Sequence, residues 1–537
     1  MPDILTAYAA SQPAKPAVVD DRGGVIVSWT YSQLEAEANR LANALAALGA
    51  GPGQKVIWCG PNSPQVVAVM AATRKIGAVA VPLNYRLTPE EARHIIGHSD
   101  ATIAYVDAEY AHLLALPDGQ RETLRHVIVF GGAPPAGLLG GALGGALGGD
   151  FVAAASAEPP AAAGAPAAAG APAAEEPGAG AGATMIYTSG TTGKPKGALR
   201  YRSDEASTLA LLSLIGYTPD DVYLTSGPLY HSGPAAFMAA ALAFGQTIIV
   251  QRKFDARDWL RLVDTYRVTS TFSAPPPIRL VCALPAEAKD RYDRTSMKRM
   301  LANAAPWSFA LKQRYLADFP ADSLWEIYGS TELGVNCVLQ PQDQLRKPGS
   351  CGRPAPGVEI RLLDDRGEEI TGTGPDHPGE LYVRSGQVFS EYYKQRDSYE
   401  AARQGDFHTV GDIAYRDDDG FIYICDRKTD LIISGGMNIY PAEIEAALEQ
   451  NPGIFDVAVF GIPSAEWGEV VHATVVLAPG TMLSAADVMA YAREHLAGYK
   501  TPRSVSFIHE LPRTGSGKVL KRELRAPFWA GHATRIG

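Results

Sequence analysis

The sequence predicts an α/β protein of two unequal domains: a large N-terminal one of helix-flanked, mainly parallel sheets and a small α+β one at the C-terminal end. Three observations lead there. The chain of 537 residues exceeds what one hydrophobic core sustains. Helical and strand patterns alternate through its N-terminal part, and near residue 430 that alternation gives way to a compact α+β pattern. The expected division is 1–428 and 429–537.

Taken in order, Thr30-Tyr31-Ser32-Gln33 fits a capping box, and Leu34, Leu41, Leu45 and Leu48 follow on one helical face. Gly51-Pro52-Gly53 stops that helix, and KVIWCG reads as a buried strand. SPQVVAVMAATRKIG is a second helix and AVAVPLN a second strand. TPEEARHIIG opens with Thr88 as N-cap, Pro89 at the first helical position and Glu91 completing a capping box, and ATIAYVD follows as a strand. Strands separated by helices of this length pair in parallel. Residues 131–183 break the pattern with Ala/Gly/Pro-rich runs that cannot bury enough side chain to order themselves, so a surface loop is expected, with a partner-binding segment as the alternative. Helix and strand signals then resume through residue 425. In the last part PAEIEAALEQ is a helix starting at Pro441 with Ile444 and Leu448 inward, AADVMAYAREHL is another, and FDVAVFGI, HATVVLA and SVSFIHE are strands.

Bulk properties exclude several classes. A net charge of −10 argues against coating nucleic acid or anionic lipid, so any bound anion must be held by local groups. The five cysteines are far apart with no CxxC or His-rich partner, which points to buried thiols in a reducing compartment. No basic leader with an apolar core, no run of about 18 lipophilic residues and no lipidation signal is present, so a cytoplasmic protein is expected.

The chemistry concentrates in four segments. MIYTSGTTGKPKG, residues 185–197, lacks the GxxxxGK[ST] spacing of a P-loop, because Gly190 and Gly193 are three apart and Pro195 follows Lys194. Its ingredients still suit a phosphate chain: glycines admit backbone amides to an anion, Thr188, Ser189, Thr191 and Thr192 donate, and Lys194 and Lys196 bring charge. A solvated Gly/Ser/Thr loop is the bland alternative. EIYGSTELG offers the flat face of Tyr328, the hydroxyls of Ser330 and Thr331, and in Glu332 a hard carboxylate suited to Mg²⁺, although a turn at a strand end reads the same way. In TVGDIAYRDDDGFIYICDRKTDLIISGGMNIYP, Asp412 can accept from vicinal hydroxyls and Arg427 can answer a phosphate, while DDDG reads as a hairpin turn. LPRTGSGKVLKREL places Lys518 in a Gly-rich loop where, alone, it looks like a surface residue.

In this order the segments resemble the acyl-CoA synthetases of the acyl-adenylate-forming superfamily, and the likeness runs from WTYSQLEAEANRLANAL to GKVLKREL. The resemblance implies that a carboxylic acid and ATP form acyl-AMP and pyrophosphate, after which coenzyme A displaces AMP. It implies that Thr188–Lys196, Gly190 and Gly193 included, embrace the β- and γ-phosphates, that Thr331 contacts the α-phosphate and that Glu332 holds Mg²⁺. Tyr328 would stack on adenine beside Gly329 and Ser330, with Ala304, Ala305 and Pro306 lining the nucleotide and acyl sites. Asp412 would take the ribose hydroxyls with Arg427 nearby, and Lys518 would bridge the attacking carboxylate and the α-phosphate. In the second step the small domain turns, and Gly435, Gly436, Trp467, Tyr499 and Arg503 face coenzyme A while His231 gates the acyl site; a capped loop histidine is the alternative for His231. The pivot, usually Asp or Lys, is Thr429 here.

Amino-acid-activating relatives carry an aspartate just after the Tyr230–Phe237 loop, and this chain has none there, which favours an apolar fatty, aryl or steroid side-chain acid. The implied partners are that acid, ATP and coenzyme A, without nucleic acid, and a homodimer stays open. An acyl-AMP ligase serving a carrier protein and a non-catalytic nucleotide-binding protein are the rival readings.

Overall fold

The structure, a computed structural model, describes residues 3–115, 123–135, 146–160, 183–188, 195–201, 204–305, 307–514 and 517–530. The large domain holds three sheets. The nine-stranded sheet runs, edge to edge, through Arg353–Pro354, Gly334–Leu339, Leu324–Ser330, Arg299–Ala302, Ser270–Ser273, Val222–Thr225, Thr247–Val250, Pro16–Asp21 and Ile26–Thr30. From Leu324–Ser330 to Pro16–Asp21 every pair is parallel. In the seven-stranded sheet Lys55–Cys59, Val79–Leu83, Ile103–Asp107, His126–Phe130 and Ala183–Thr188 are parallel, and Lys196–Arg200 turns back antiparallel to Ala183–Thr188.

Local chemistry starts the helices where the sequence says. Thr30 and Thr88 both make complete capping boxes, with Gln33 and Glu91 respectively, and Leu34, Leu41 and Leu45 are fully buried while Leu48 serves as the C-cap. Helices Tyr31–Ala47 and Pro64–Lys75 share one core with Val18 of the nine-stranded sheet and Trp58 of the seven-stranded one. Tyr31–Ala47 buries one apolar face, whereas Pro64–Lys75 is buried on nearly every side, as a helix packed between two sheets must be.

The third sheet departs from the expected parallel pattern. Its six strands, among them Glu359–Leu363, Gly379–Arg384, Asp412–Arg416 and Ile422–Arg427, pair only antiparallel. The hairpin at DDDG explains one such pairing: Asp417 Oδ1 accepts the amides of Asp419 at 3.0 Å and Phe421 at 2.9 Å, closing the turn between two strands. The small domain has its own core around Ile444, Leu448, Val459 and Val475. Its sheet joins Ile454–Ser464, Gly468–Leu477 and Ser504–Phe507, and helices Pro441–Leu448 and Ala485–His495 contribute to that core.

Residues 131–183 require a correction. Within that low-complexity run, 146–160 is docked: Leu147 exchanges two 2.8 Å backbone hydrogen bonds with the strand His126–Phe130, and Phe151 and Val152 of the short helix Gly149–Ala153 pack on the main core. Asn39 and Asn43 tie down the carbonyls of Ala157, Ser156 and Glu158. Two apolar side chains and a bridge to an edge strand suffice to order this stretch, despite its composition. Cys59, Cys337 and Cys351 are buried free thiols, whereas Cys282 and Cys425 are only half-buried. Among the described residues no helix is long and apolar enough to cross a membrane.

Candidate active site

Parallel strands point their carboxyl ends to one edge, and loops leaving that edge build a crevice. Here Ser273, Ala302-Asn303-Ala304, Ser330-Thr331 and Thr188 all sit at or just beyond such ends. Gly329 makes the last turn feasible. A Cβ there would lie 2.1 Å from the carbonyl oxygen of Gly334, so only glycine lets the return strand Gly334–Leu339 approach. Ala304, with φ of 71°, takes a left-handed turn into the same crevice.

Glu332 is the hub of the polar contacts. Its Oε1 accepts from the Thr188 hydroxyl at 3.1 Å and the Tyr392 hydroxyl at 3.2 Å. Thr331 Oγ1 shares a 2.8 Å hydrogen bond with Ser232 Oγ. Asp412 and Arg427 face each other across adjacent strands, with Arg427 Nε 3.4 Å from Asp412 Oδ1, and the Tyr328 hydroxyl donates to Asp412 Oδ2. Lys196 Nζ donates to Ser398 Oγ at 3.2 Å and lies over the Tyr392 ring. The described residues contain no cluster of three or more metal-ligating side chains. Magnesium needs none, because one carboxylate completed by substrate phosphates and water holds it, and Glu332 has the required hard oxygens.

Lys518 enters from the small domain. Its loop is closed by hydrogen bonds from Thr514 N to Lys518 O at 2.8 Å, Gly517 N to Thr514 O at 2.9 Å and Leu520 N to Pro512 O at 2.8 Å. Gly517, with φ of 89°, lies beside Ala274 and Pro276 of the large domain, where an added Cβ would come within 3.4 Å of the proline ring. The lysine therefore projects into the crevice. Its accessible surface faces the cavity, and the surrounding protein lowers its pKa through burial first and Arg427 next, against the opposing pull of Glu332 and Asp412. His231 is pushed down to about 3 by burial, then by Lys518 and Arg86. His231 stands at the N-cap position of the helix Ser232–Ala243 without a side-chain cap hydrogen bond, and its buried Nε2 has no hydrogen-bond partner among the described residues.

A cavity of about 2370 Å³ has Lys518, His231, Ala304, Ser330 and Thr331 in its wall. It continues along the helix Ser232–Ala243, which turns Ala236, Ala240 and Ala243 toward the space. Ser189, Gly190, Thr191, Thr192, Gly193, Lys194 and Pro306 lie outside the described residues. Gly435, Gly436, Trp467, Tyr499 and Arg503 are not part of the cavity wall; Trp467 packs against Gly435 and stays 43% exposed, Tyr499 42% exposed. Thr429 is exposed in the segment joining Arg427 to the small domain's first strand, Ile432–Ser434.

Sequence reasoning missed four participants. Tyr392 and Ser232 touch Glu332 and Thr331 through ordinary hydroxyls that carry no motif. Arg200 donates to the carbonyls of Thr331, at 2.8 Å, and Gln387. The fourth is a pair of histidines on the helix Pro89–Ser99: His98 Nδ1 is 2.8 Å from the Tyr187 hydroxyl and His94 Nε2 is 3.3 Å from the Pro195 carbonyl. They grip both flanks of the 188–194 segment, and their i, i+4 spacing was a readable signal.

A two-domain α/β protein whose small domain drops a lysine onto the carboxyl edge of parallel strands defines a class of nucleotide-handling enzyme. The chain belongs to the AMP-binding enzyme family, whose model matches residues 5–393, and the model of the AMP-binding enzyme C-terminal domain matches residues 443–518. It is 35% identical over 504 residues to a feruloyl-CoA synthase from an Amycolatopsis species, covering 93% of this chain and 94% of that protein. It is 33% identical over 540 residues to the fatty acid–[acyl-carrier-protein] ligase ScoC of Streptomyces coeruleorubidus, covering 98% and 96%. Among solved structures, ATP-bound MatB from Rhodopseudomonas palustris superposes with a TM-score of 0.81 at 27% identity over 98% of each chain.

Proposed function

We propose that the protein is an AMP-forming acid–coenzyme A ligase. A carboxylate oxygen attacks the α-phosphorus of ATP, the bond to the β-phosphate oxygen breaks, and pyrophosphate leaves with the displaced charge. Coenzyme A thiolate then attacks the acyl carbon, and AMP departs. The observation that carries this reading is the cavity wall that Lys518 of the small domain shares with His231, Ser330 and Thr331 of the large one, with Glu332, Asp412 and Arg427 close enough to act on the lysine's charge. A cation delivered by a separate domain has little use in passive binding, but it offsets charge that develops as carboxylate meets phosphate.

In this reading Thr188 and Lys196, with the glycines, hydroxyls and Lys194 between them, hold the β- and γ-phosphates. Thr331 touches the α-phosphate, and Glu332 anchors Mg²⁺, which screens the polyanion when bound. Tyr328, Gly329, Ser330 and Ala304–Pro306 flank the base, and Asp412 accepts the ribose hydroxyls. Asp412 already has a tyrosine donor and an arginine beside it, so its carboxylate is fixed before nucleotide arrives.

The acyl end suits an apolar tail. The helix Ser232–Ala243 has 12 residues, so at 1.5 Å per residue its alanine face runs about 18 Å. Small side chains along that length leave room for a fatty, aryl or steroid side-chain acid. Five free thiols support a reducing, cytoplasmic setting.

The test is pyrophosphate release with Mg·ATP and a panel of such acids, followed by thioester detection with coenzyme A. Release and thioester are expected together. Release with acyl-AMP accumulating and no thioester would select the second reading, a ligase that loads a carrier protein, which the similarity to ScoC favours. No release with any acid would leave a non-catalytic nucleotide-binding protein.

A further inference from the structure

The helix Pro275–Cys282 of the large domain meets the small domain at two points one turn apart. At its start, Ala274 and Pro276 receive Gly517, the residue before Lys518. One turn on, Arg279 reaches the small domain's own framework. Its Nη1 donates to the Phe455 carbonyl at 2.9 Å and to Asp456 Oδ1 at 3.2 Å, and its Nη2 pairs with Glu449 Oε1 at 2.5 Å. All three charged side chains are largely buried, at 15% exposure for Arg279, 14% for Glu449 and 11% for Asp456.

Asp456 does not stop there. Its second oxygen takes Arg513 Nη2 at 2.5 Å, and Arg513 Nη1 donates to the Gly517 carbonyl. One carboxylate thus joins a cation of the large domain to the loop that carries Lys518. We propose that Arg279, Glu449, Asp456 and Arg513 form a clasp that positions Lys518 for the acid-activating half-reaction, and that this clasp must part before the small domain can present its other face. The inference rests on the two-step reading proposed above.

The physics favours a conditional clasp over a permanent weld. Buried charges repay their desolvation only while paired in good geometry, so the arrangement holds at short distances and loses most of its worth once the surfaces separate. Arg279 is the one member from the large domain. Its removal leaves Asp456 paired with Arg513 and takes nothing from the apolar core of either domain, so both keep their own cores while docking, and with it the protection of the Lys518 loop, is weakened. Arg279 touches no candidate substrate group among the described residues and is a positioning residue.

The experiment measures each half-reaction in Arg279→Met and Arg279→Lys. Pyrophosphate formation should fall roughly tenfold or more in Arg279→Met, with the KM for ATP little changed, because the alignment of Lys518 and not ground-state nucleotide binding is lost. Thioester formation from supplied acyl-AMP and coenzyme A should be unchanged or faster. Arg279→Lys should recover part of the first rate, since a single ammonium keeps the charge without the fork. Hydrogen exchange supplies a readout independent of turnover: the amides of Thr514, Gly517 and Leu520 should exchange faster in Arg279→Met. Equal loss of both half-reactions, or no change in either, overturns the clasp. If the unaltered protein releases no pyrophosphate with any acid, the two-step reading fails on its own, and unchanged exchange of those three amides still overturns the clasp.

Discussion

The small domain carries two sets of candidate residues that meet opposite circumstances. Lys518 lines the cavity, its loop tied by Arg513 to Asp456, which in turn pairs with Arg279 of the large domain. Gly435, Gly436, Trp467, Tyr499 and Arg503 lie away from the cavity, with Trp467 and Tyr499 both more than two-fifths exposed. A rigid body cannot show both faces to one crevice at the same time. The difference teaches that the arrangement seen here turns Lys518, and not the second set, toward the cavity, which in the proposed reaction suits the joining of an acid to the α-phosphate. Trp467 packs beside Gly435 and keeps a large part of its ring open to solvent, and in the proposed reaction coenzyme A would cover it.

This contrast can be broken most sharply at Lys518. Lys518→Ala should lower acyl-AMP formation by roughly 10²–10³-fold, the usual effect of removing one donor aimed at developing charge. Thioester formation from supplied acyl-AMP should be nearly unaffected. Equal losses in stopped assays of the two half-reactions would mean that the two faces are not functionally separate. The complementary change is Trp467→Ala. Loss of one aromatic contact to a ligand costs about 1–2 kcal/mol, or roughly tenfold, and it should appear in the KM for coenzyme A while pyrophosphate release keeps its rate. A changed rate of release in Trp467→Ala would place that face in the first step.

The same two regions show what the sequence could and could not disclose. Capping boxes at Thr30 and Thr88 were legible because they need only four consecutive residues. The motifs holding Thr331, Glu332, Asp412 and Lys518 were legible as chemistry, since hydroxyls, carboxylates and a lysine beside glycines announce anion handling. Their assembly was not. The hydrogen bond from Thr188 to Glu332 spans 144 positions, and nothing local in either segment encodes it. Of the antiparallel third sheet only the DDDG hairpin was legible, because its other pairings join strands far apart in the chain, such as Gly379–Arg384 with Asp412–Arg416. The pairing of Arg279 with Asp456 joins residues 177 apart, neither of which belongs to a motif. Composition misled at 146–160, where two side chains and a backbone bridge outweigh a run of alanine, glycine and proline.

Titration sharpens the comparison from another side. In the proposed reaction Lys518 acts as a cation, and desolvation by the surrounding protein, then the charge of Arg427, lowers its pKa from the ordinary 10.5. The charged form is lost as pH rises through that lowered value. Acid activation by the unliganded enzyme, read as kcat/KM for pyrophosphate release, should therefore decline on the alkaline side earlier than an exposed lysine would dictate, and thioester formation from acyl-AMP should not share that limb. His231 is held near 3, far below the ordinary 6.5, so it stays neutral across the working range. His231→Asn should leave the shape of the profile between about pH 5 and 7 unchanged, whatever it does to the rate. An acid limb that vanishes in this variant would show that the imidazole titrates after all.

The smallest effects are expected far from both faces, in the low-complexity run, and there the order of two changes matters more than their size. Phe151 is half-buried against the main core, so Phe151→Ala should cost about 2 kcal/mol of stability, seen as a lower midpoint in denaturant with little change in turnover. Replacing residues 161–180 by a Gly/Ser linker of equal length removes alanines and prolines but none of the described contacts of 146–160. Pro159 and Pro160 still line the cavity in that variant, and Asn39 and Asn43 still hold the carbonyls beside them. Both stability and turnover should stay within error of the unaltered protein. A fall in either would assign the 161–180 stretch a contact that its composition gives no reason to expect, and would return the whole run to the status of a partner-binding segment.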